Sequence, residues 1–235
     1  CAHLLVCGGD GTLHQVINAM DRSRQDIWLM PLGRGNSLGR DYARSGNDMI
    51  IDLVRCHIKT RNGNETRLLA TTSGFGYIAR IVCRAERLRR NGVFAYPLAW
   101  MQSLLEPIRS FMRISIDATA VFDGPVSLLV VNNTRFAGPF ELFPKASTAD
   151  GRMNVLISDR SLPGNIRLVL PGPGKERLQK QYTARSLVID CHTPQPFIID
   201  GEIIDDTTGF DCVVDDTPLR VRILKIAEIN TGARS

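Results

Sequence analysis

The sequence predicts an α/β domain built on a parallel sheet over residues 1–52, followed by a mainly antiparallel β-sandwich domain over residues 53–223. Two glycine-rich turns, Gly8–Thr12 and Gly33–Asn36, each follow a short apolar run and each lead into a helix start. Beyond Asp52 the alternation of strand and helix gives way to short strand-like segments separated by turn signals. At 235 residues, 43% of them hydrophobic, the chain is long enough to bury a core of either one large domain or two small ones.

The first strand is the run Leu4-Leu5-Val6-Cys7, and Gly8-Gly9-Asp10-Gly11-Thr12 follows it directly. Glycines here let backbone N–H groups approach an anion closely. Leu13, Val16, Ile17 and Met20 then share one face of a helix, so the turn feeds a helix N-terminus whose dipole favours phosphate. A carboxylate beside such a pocket is repelled unless a cation or a proton transfer employs it, and Asp10 therefore reads as a magnesium-binding or catalytic group. The second strand, Ile27-Trp28-Leu29-Met30, leads through Pro31-Leu32-Gly33-Arg34-Gly35-Asn36-Ser37 into another helix start. Two such turns at the carboxyl ends of neighbouring parallel strands form a ligand crevice. Its candidate phosphate-binding residues are Gly8, Gly9, Asp10, Gly11, Thr12, Gly33, Arg34, Gly35 and Asn36; Arg34 reads equally as a phosphate contact or as an exposed loop cation.

In the second domain, hairpin signals stand at Arg61-Asn62-Gly63-Asn64 and Phe122-Asp123-Gly124-Pro125. Strands are expected at Leu68–Ala70, Arg113–Ala118, Val126–Asn132, Met153–Ile157, Ser186–Asp190 and Leu219–Leu224. Two helices interrupt them, one over Tyr77–Arg90 and one over Tyr96–Met112 that Pro107 kinks. Ile78, Ile81, Ala85 and Leu88 give the first helix a core face, while Arg80, Arg84 and Arg87, joined by Arg89 and Arg90, form the opposite stripe. That stripe reads either as a solvated cationic face or as a docking surface for anionic lipid headgroups. Pro171-Gly172-Pro173-Gly174 is loop by composition, and the chain has no internal repeat. Residues 224–235 form a tail expected to return to the first domain.

The net charge of +5 suits an anionic substrate or membrane surface, but no nucleic-acid motif accompanies it. The six cysteines show no paired CxxC spacing, which points to a reducing, cytoplasmic setting. The four histidines lack metal-ligand spacing and read as surface or core residues. No apolar run approaches the ~20 residues of a membrane span, so any membrane contact is expected to be peripheral.

The pair GGDGT and PLGxGN resembles the catalytic domain of the diacylglycerol kinase and sphingosine kinase superfamily, especially its bacterial lipid kinase branch; NAD kinases share the first motif more distantly. Ser73-Gly74-Phe75-Gly76, Asp150-Gly151 and Asp200-Gly201-Glu202 are similar to three further segments of that family, and all five occur in its order. The resemblance implies an enzyme that uses ATP and magnesium to phosphorylate a diacylglycerol-like or sphingoid lipid, with Glu202 as general base. Burial among isoleucines would raise the pKa of Glu202. It also implies a structural magnesium at Asp150 with main-chain oxygens of Ser147 and Arg152, where the residues alone read equally well as a turn opening the next strand. The sequence departs from the family at Arg34, where threonine or serine is usual, and at Ser37, where aspartate is common. An NAD kinase-like enzyme and a non-catalytic lipid- or nucleotide-binding module are the alternative readings. Family members place another strand and glycine loop ahead of GGDGT, so the resemblance implies a chain lacking one or two N-terminal βα units, with an exposed sheet edge and a tendency to associate as a homodimer.

Overall fold

The computed structural model describes residues 2–33, 35–45, 48–88, 98–99, 102–103, 110–138, 140–159 and 180–224. The first layer opens with β1 (Ala2–Gly8), α1 (Asp10–Ala19), β2 (Gln25–Pro31), α2 (Ser37–Ser45) and β3 (Asp48–Ile51). β1 and β2 pair in parallel from Ala2↔Gln25 to Gly8↔Pro31, which brings the two glycine turns out at the same sheet end. Val6, Ile27, Leu29 and Ile51 face Leu13 and Ile17 of α1 and Leu38 of α2 in one buried cluster. Val16 and Met20 pack at its edge, as their helical spacing predicts. On the opposite face of the sheet, Leu5 and Ile50 are exposed, His3 stacks on Trp28, and the Arg222 guanidinium lies over the same indole.

The sheet has a fourth member, β16 (Leu219–Ile223), giving the order β1-β2-β16-β3 with β16 parallel to β2 and antiparallel to β3. This corrects the boundary drawn at residue 223. Leu219, Val221 and Ile223 alternate with Arg220 and Arg222, and the apolar set completes the cluster beneath α1. The chain therefore returns to the first layer before residue 224, and the tail itself, 225–235, lies outside the described residues.

The second layer contains β4 (Val54–Thr60), β5 (Gly63–Leu69), β6 (Thr72–Gly76), α3 (Tyr77–Arg87), β7 (Ser110–Ile116), β8 (Thr119–Val126), β9 (Leu128–Asn132), β12 (Met153–Ser158), β13 (Lys180–Ala184), β14 (Ser186–Ile199) and β15 (Glu202–Val214), with the short pair β10 (Phe136–Ala137) and β11 (Phe140–Glu141) beside it. Ten of these strands form one antiparallel sheet that folds over on itself. β14 makes the fold possible: Leu187–Cys191 pair with β7, whereas Phe197–Ile199 pair with β6, and the register breaks between Asp190, Gln195 and Phe197. A strand that changes partners at an irregularity turns the corner between packed layers. Phe197 sits where the layers close, its ring 4.7 Å from Phe75 and 4.8 Å from Phe210.

Several expected elements differ from those observed. Phe122–Pro125 lies inside β8, and the hairpin turn is Asp117-Ala118, both residues at positive φ (46° and 64°) as a tight two-residue turn requires. Asp117 stabilises that turn by accepting the Arg185 and Ser186 N–H bonds, a longer-range cue than any local Gly-Pro signal. The helix expected to reach Met112 does not: Ser110–Met112 are strand, with Met112 fully buried against the sandwich core. Most of Tyr96–Arg109 lies outside the described residues, although positions 98–99 and 102–103 are helical. α3 begins where Gly76 adopts φ 75°, and a Cβ there would lie 2.1 Å from the Ser127 carbonyl oxygen. Arg84 on the expected cationic stripe donates to Ser103 Oγ at 2.7 Å, and Arg89, Arg90 and the Pro171–Gly174 loop lie outside the described residues.

Two ion clusters clamp the layers together. Arg22 and Arg55 both reach the buried Asp215 carboxylate, and Arg135 Nε lies 2.5 Å from Asp41 Oδ1 on α2. Phe197→Ala should cost about 3–5 kcal/mol in chemical denaturation, because it opens a cavity between two rings that cannot close over it. Phe111→Ala on the same sandwich, where the side chain is 53% exposed, should change stability by no more than about 0.5 kcal/mol. Equal effects at the two sites would contradict the position assigned to Phe197.

Candidate active site

The two glycine turns touch. Leu32 N–H donates to the Gly8 carbonyl at 2.9 Å, and a Cβ on Gly33 would lie 2.3 Å from the Gly9 Cα. Only residues without side chains allow that approach, which explains the glycines at 9 and 33 before any ligand is considered. Asn36, at φ 48°, donates through Nδ2 to the Pro31 and Gly33 carbonyls and holds the second turn closed. Its Oδ1 is buried and has no hydrogen-bond partner among the described residues. Gly9 is the N-cap of α1 and offers no side-chain cap, so the first N–H groups of the helix open onto the turn. The Thr12 side chain packs over Gly8, and Arg34 lies outside the described residues.

Asp10 starts α1 and looks toward the second turn. Its Oδ2 accepts the Ser37 N–H at 3.0 Å and lies 3.1 Å from Ser37 Oγ, which in turn accepts the Gly138 N–H at 2.9 Å. Burial pushes the Asp10 carboxyl above its ordinary pKa, the Ser37 N–H opposes that, and the charge of Asp200 adds to it. Ser37, the position where the family commonly carries aspartate, thus links Asp10 to the second layer through Gly138.

The third component is the turn between β14 and β15, with Asp200 at φ 48° and Gly201 at φ 93°. Asp200 is buried to within 1% of full enclosure. Its Oδ1 accepts from Thr71 N–H, Thr71 Oγ–H and Thr72 N–H at 2.6–2.9 Å, and its Oδ2 accepts the Ala70 N–H at 2.8 Å and lies 3.0 Å from His14 Nδ1. The Asp200 N–H completes the ring on the Thr72 carbonyl at 2.7 Å. A turn held this way cannot slide along the sheet, and it brings the Asp200 carbonyl within 3.5 Å of a Cβ placed on Gly11.

Glu202 is thereby placed against α1. Its Oε1 accepts from Gln15 Nε2 at 2.8 Å, its Oε2 from Arg67 Nη1 at 2.9 Å, and its side chain is 28% exposed. The expected enclosure by isoleucines is not found. Successive side chains of β15 point to opposite faces, so Ile203 leaves the carboxylate and a cation and an amide surround it instead. Arg67 is itself held by Glu65 at 2.9 Å.

The metal segment lies elsewhere. Asp150 Oδ1 accepts the Arg152 N–H at 3.0 Å and Ser147 Oγ the Ala149 N–H at 3.3 Å, two local turns that account for these side chains. Gly151 N–H donates to Asp52 Oδ2 at 2.6 Å, so a second carboxylate stands close by. Among the described residues, no group of three or more His, Cys, Asp or Glu side chains is arranged as a metal site.

The structure thus brings Asp10, the glycine turns and Glu202 into one region, together with residues that the sequence motifs do not mark as functional. His14, which the sequence alone reads as a core or surface histidine, has as its signal the four-residue spacing from Asp10, which puts both on one face of α1. Gln15, Arg67 and Thr71 carry no local signal, since the partners that join them to the β14–β15 turn lie 187, 135 and 129 positions away, whereas Asp200 belongs to the Asp200-Gly201-Glu202 motif but shows no sign there of its distant partners.

Residues 1–64 match the diacylglycerol kinase catalytic domain family. A diacylglycerol kinase of Staphylococcus saprophyticus is 26% identical over 216 residues, taking in 85% of this chain and 70% of that protein. Among solved structures, a diacylglycerol kinase from Bacillus anthracis superposes with a TM-score of 0.71 at 17% identity, over 96% of this chain and 78% of that one. Yeast NADH kinase, complexed with NADH, shares the fold at a TM-score of 0.54 and 10% identity, over 100% of this chain and 67% of that one. The chain is thus similar to bacterial diacylglycerol kinases in sequence and shares the fold of a diacylglycerol kinase from Bacillus anthracis, in line with the resemblance that GGDGT and PLGxGN imply.

Proposed function

We propose that the chain is an ATP-dependent lipid kinase that transfers the γ-phosphoryl group to the hydroxyl of a diacylglycerol-like or sphingoid lipid. One observation carries the reading: the pinned Asp200-Gly201 turn sets the Glu202 carboxylate against the same helix whose N-terminus opens onto the glycine turns. An anion at the turns and a base one helical turn along are the two parts that phosphoryl transfer needs most from a protein.

The donor set fits the nucleotide and its cation. Asp10 is an oxygen ligand, and the unpartnered Asn36 Oδ1 calls for a hydrogen-bond donor or a hard cation beside it. Magnesium is commonly held by one or two carboxylates together with phosphate oxygens, so a lone Asp10 suffices. When bound, ATP with magnesium supplies the transferable phosphoryl group. The chain's own work is then positioning: the α1 N–H groups and glycine turns hold phosphate oxygens, Asp10 holds the cation, and Glu202 accepts the hydroxyl proton. Gln15 and Arg67 each bind one Glu202 oxygen and fix the direction in which the carboxylate faces. A structural cation at Asp150, with main-chain oxygens of Ser147 and Arg152, belongs to the same reading, as does a peripheral seat on anionic membrane through α3. No described helix is long and apolar enough to cross a membrane.

Glu202→Gln should lower phosphoryl transfer by about 100-fold or more while leaving nucleotide affinity and melting temperature close to wild type, since Arg67 keeps Glu65 as its partner. Retention of a tenth or more of wild-type turnover would remove Glu202 from the role of base.

Asp10→Asn should abolish transfer and raise stability at neutral pH. A carboxyl whose folded pKa is raised stabilises the fold only while protonated, and that contribution is lost as pH rises from the unfolded value through the folded one. The variant's gain in melting temperature should therefore shrink as the pH is lowered through the carboxylate range; a variant less stable than wild type at pH 7 would contradict the buried setting of Asp10.

Replacing Arg80, Arg84 and Arg87 together by glutamine should weaken binding to anionic vesicles and flatten its salt dependence, with each residue near the surface contributing about 1 kcal/mol. Unchanged vesicle binding at low salt would return α3 to the role of a solvated cationic face.

A further inference from the structure

Between the two carboxylates of the β14–β15 turn lies a buried imidazole that the phosphoryl-transfer scheme does not use. His14 is fully buried on α1, its Nδ1 is 3.0 Å from Asp200 Oδ2, and its Nε2 is 3.9 Å from Glu202 Oε2. Asn18 packs over the ring, donates to the His14 and Leu68 carbonyls and accepts the Leu68 N–H, so the ring is fixed to β5 as well. Four protein donors besides His14 already serve the Asp200 oxygens, which act as acceptors throughout. The proton of the neutral ring therefore sits on Nδ1, and the Nε2 lone pair faces Glu202. The two acceptors stand 3.9 Å apart, longer than a hydrogen bond, and protonation of Glu202 is what would draw them together, as catalytic contacts tighten when the substrate complex forms.

We propose that His14 holds the proton that Glu202 takes from the acceptor hydroxyl, with Asp200 steadying the imidazolium that results. This role rests on the kinase reading of the same site. As the hydroxyl oxygen forms its bond to phosphorus, the O–H bond breaks, its electron pair stays on oxygen and the proton passes to Glu202 Oε2. The proton moves on to the His14 Nε2 lone pair, Glu202 regains its negative charge, and the bond from phosphorus to the departing diphosphate breaks with its pair on that oxygen. The proton later leaves through Glu202, whose side chain reaches solvent. His14 is accordingly a positioning and proton-holding residue that acts through Glu202. The charged and titratable groups that face it are Asp10 on α1, Arg67 and Glu65 on β5, Glu202 on β15 and Asp200 in the turn.

The test compares wild type with His14→Asn, which keeps a donor for Asp200 but cannot take a proton. Expected is a fall in kcat of at least about tenfold with KM for ATP held, together with a displaced acid limb in the pH profile of kcat/KM. An equal fall at every pH, or no fall, overturns the proposal while leaving the kinase reading intact; no transfer by wild type to any lipid hydroxyl sinks both. A second readout needs no activity: the His14 ring signals, followed by NMR against pH in wild type and in Glu202→Gln, should titrate differently in the two proteins. Identical titrations would show that His14 and Glu202 do not share a proton, and would overturn the proposal even if His14→Asn failed to fold.

Discussion

The structure depends on one buried carboxylate. Asp200 accepts from the backbone of Ala70, Thr71 and Thr72, from the Thr71 hydroxyl and from His14, and through them joins the β14–β15 turn to the β5–β6 connection and to α1. A carboxylate withdrawn from water this far is tolerable only when its oxygens are fully served, and here they are. The result is a rigid seam between the layers at the point where the candidate base approaches the helix that follows the first glycine turn. Neither layer contains the site alone: the first supplies Asp10 and the glycine backbone, the second Glu202 and Arg67.

A second tension is electrostatic. Asp10 is buried near Asp200, so the fold carries negative charge where phosphate is also expected to bind, and the raised pKa of Asp10 records the strain. The Ser37 N–H and the open first turn of α1 offset part of it. Such an arrangement costs stability in the free protein and suits a site completed by a cation. On the far side, Arg22 and Arg55 hold Asp215 in a paired arrangement that binds the layers without that strain: burial raises the Asp215 carboxyl, but the Thr217 N–H and the two guanidinium groups outweigh it and leave its pKa lowered.

Much of the fold was legible because its signals are local. Glycine turns after apolar runs marked β1, β2 and their helices, and short strand-like segments between turn signals marked β12, the first part of β14 and β16 as strands. What stayed hidden depends on pairing between distant segments. Nothing within Leu219–Ile223 says which sheet it joins, and only its fit between β2 and β3 decides it. The Phe122–Pro125 turn signal was overridden because Gly124 and Pro125 pair with Met112 and Phe111 inside a longer hairpin whose turn Asp117 stabilises. In the site, Glu202 and Asp10 were legible through motifs, whereas His14 and Arg67 gain their meaning only once Asp200 has brought the turn onto α1.

The most direct measurement is transfer of labelled γ-phosphate from ATP, supplied with magnesium, to a panel of diacylglycerol-like and sphingoid lipids with NAD as a competing acceptor. The account predicts label in one or more lipids and none in NAD. Label in NAD alone, or bound nucleotide with no acceptor labelled, would contradict it.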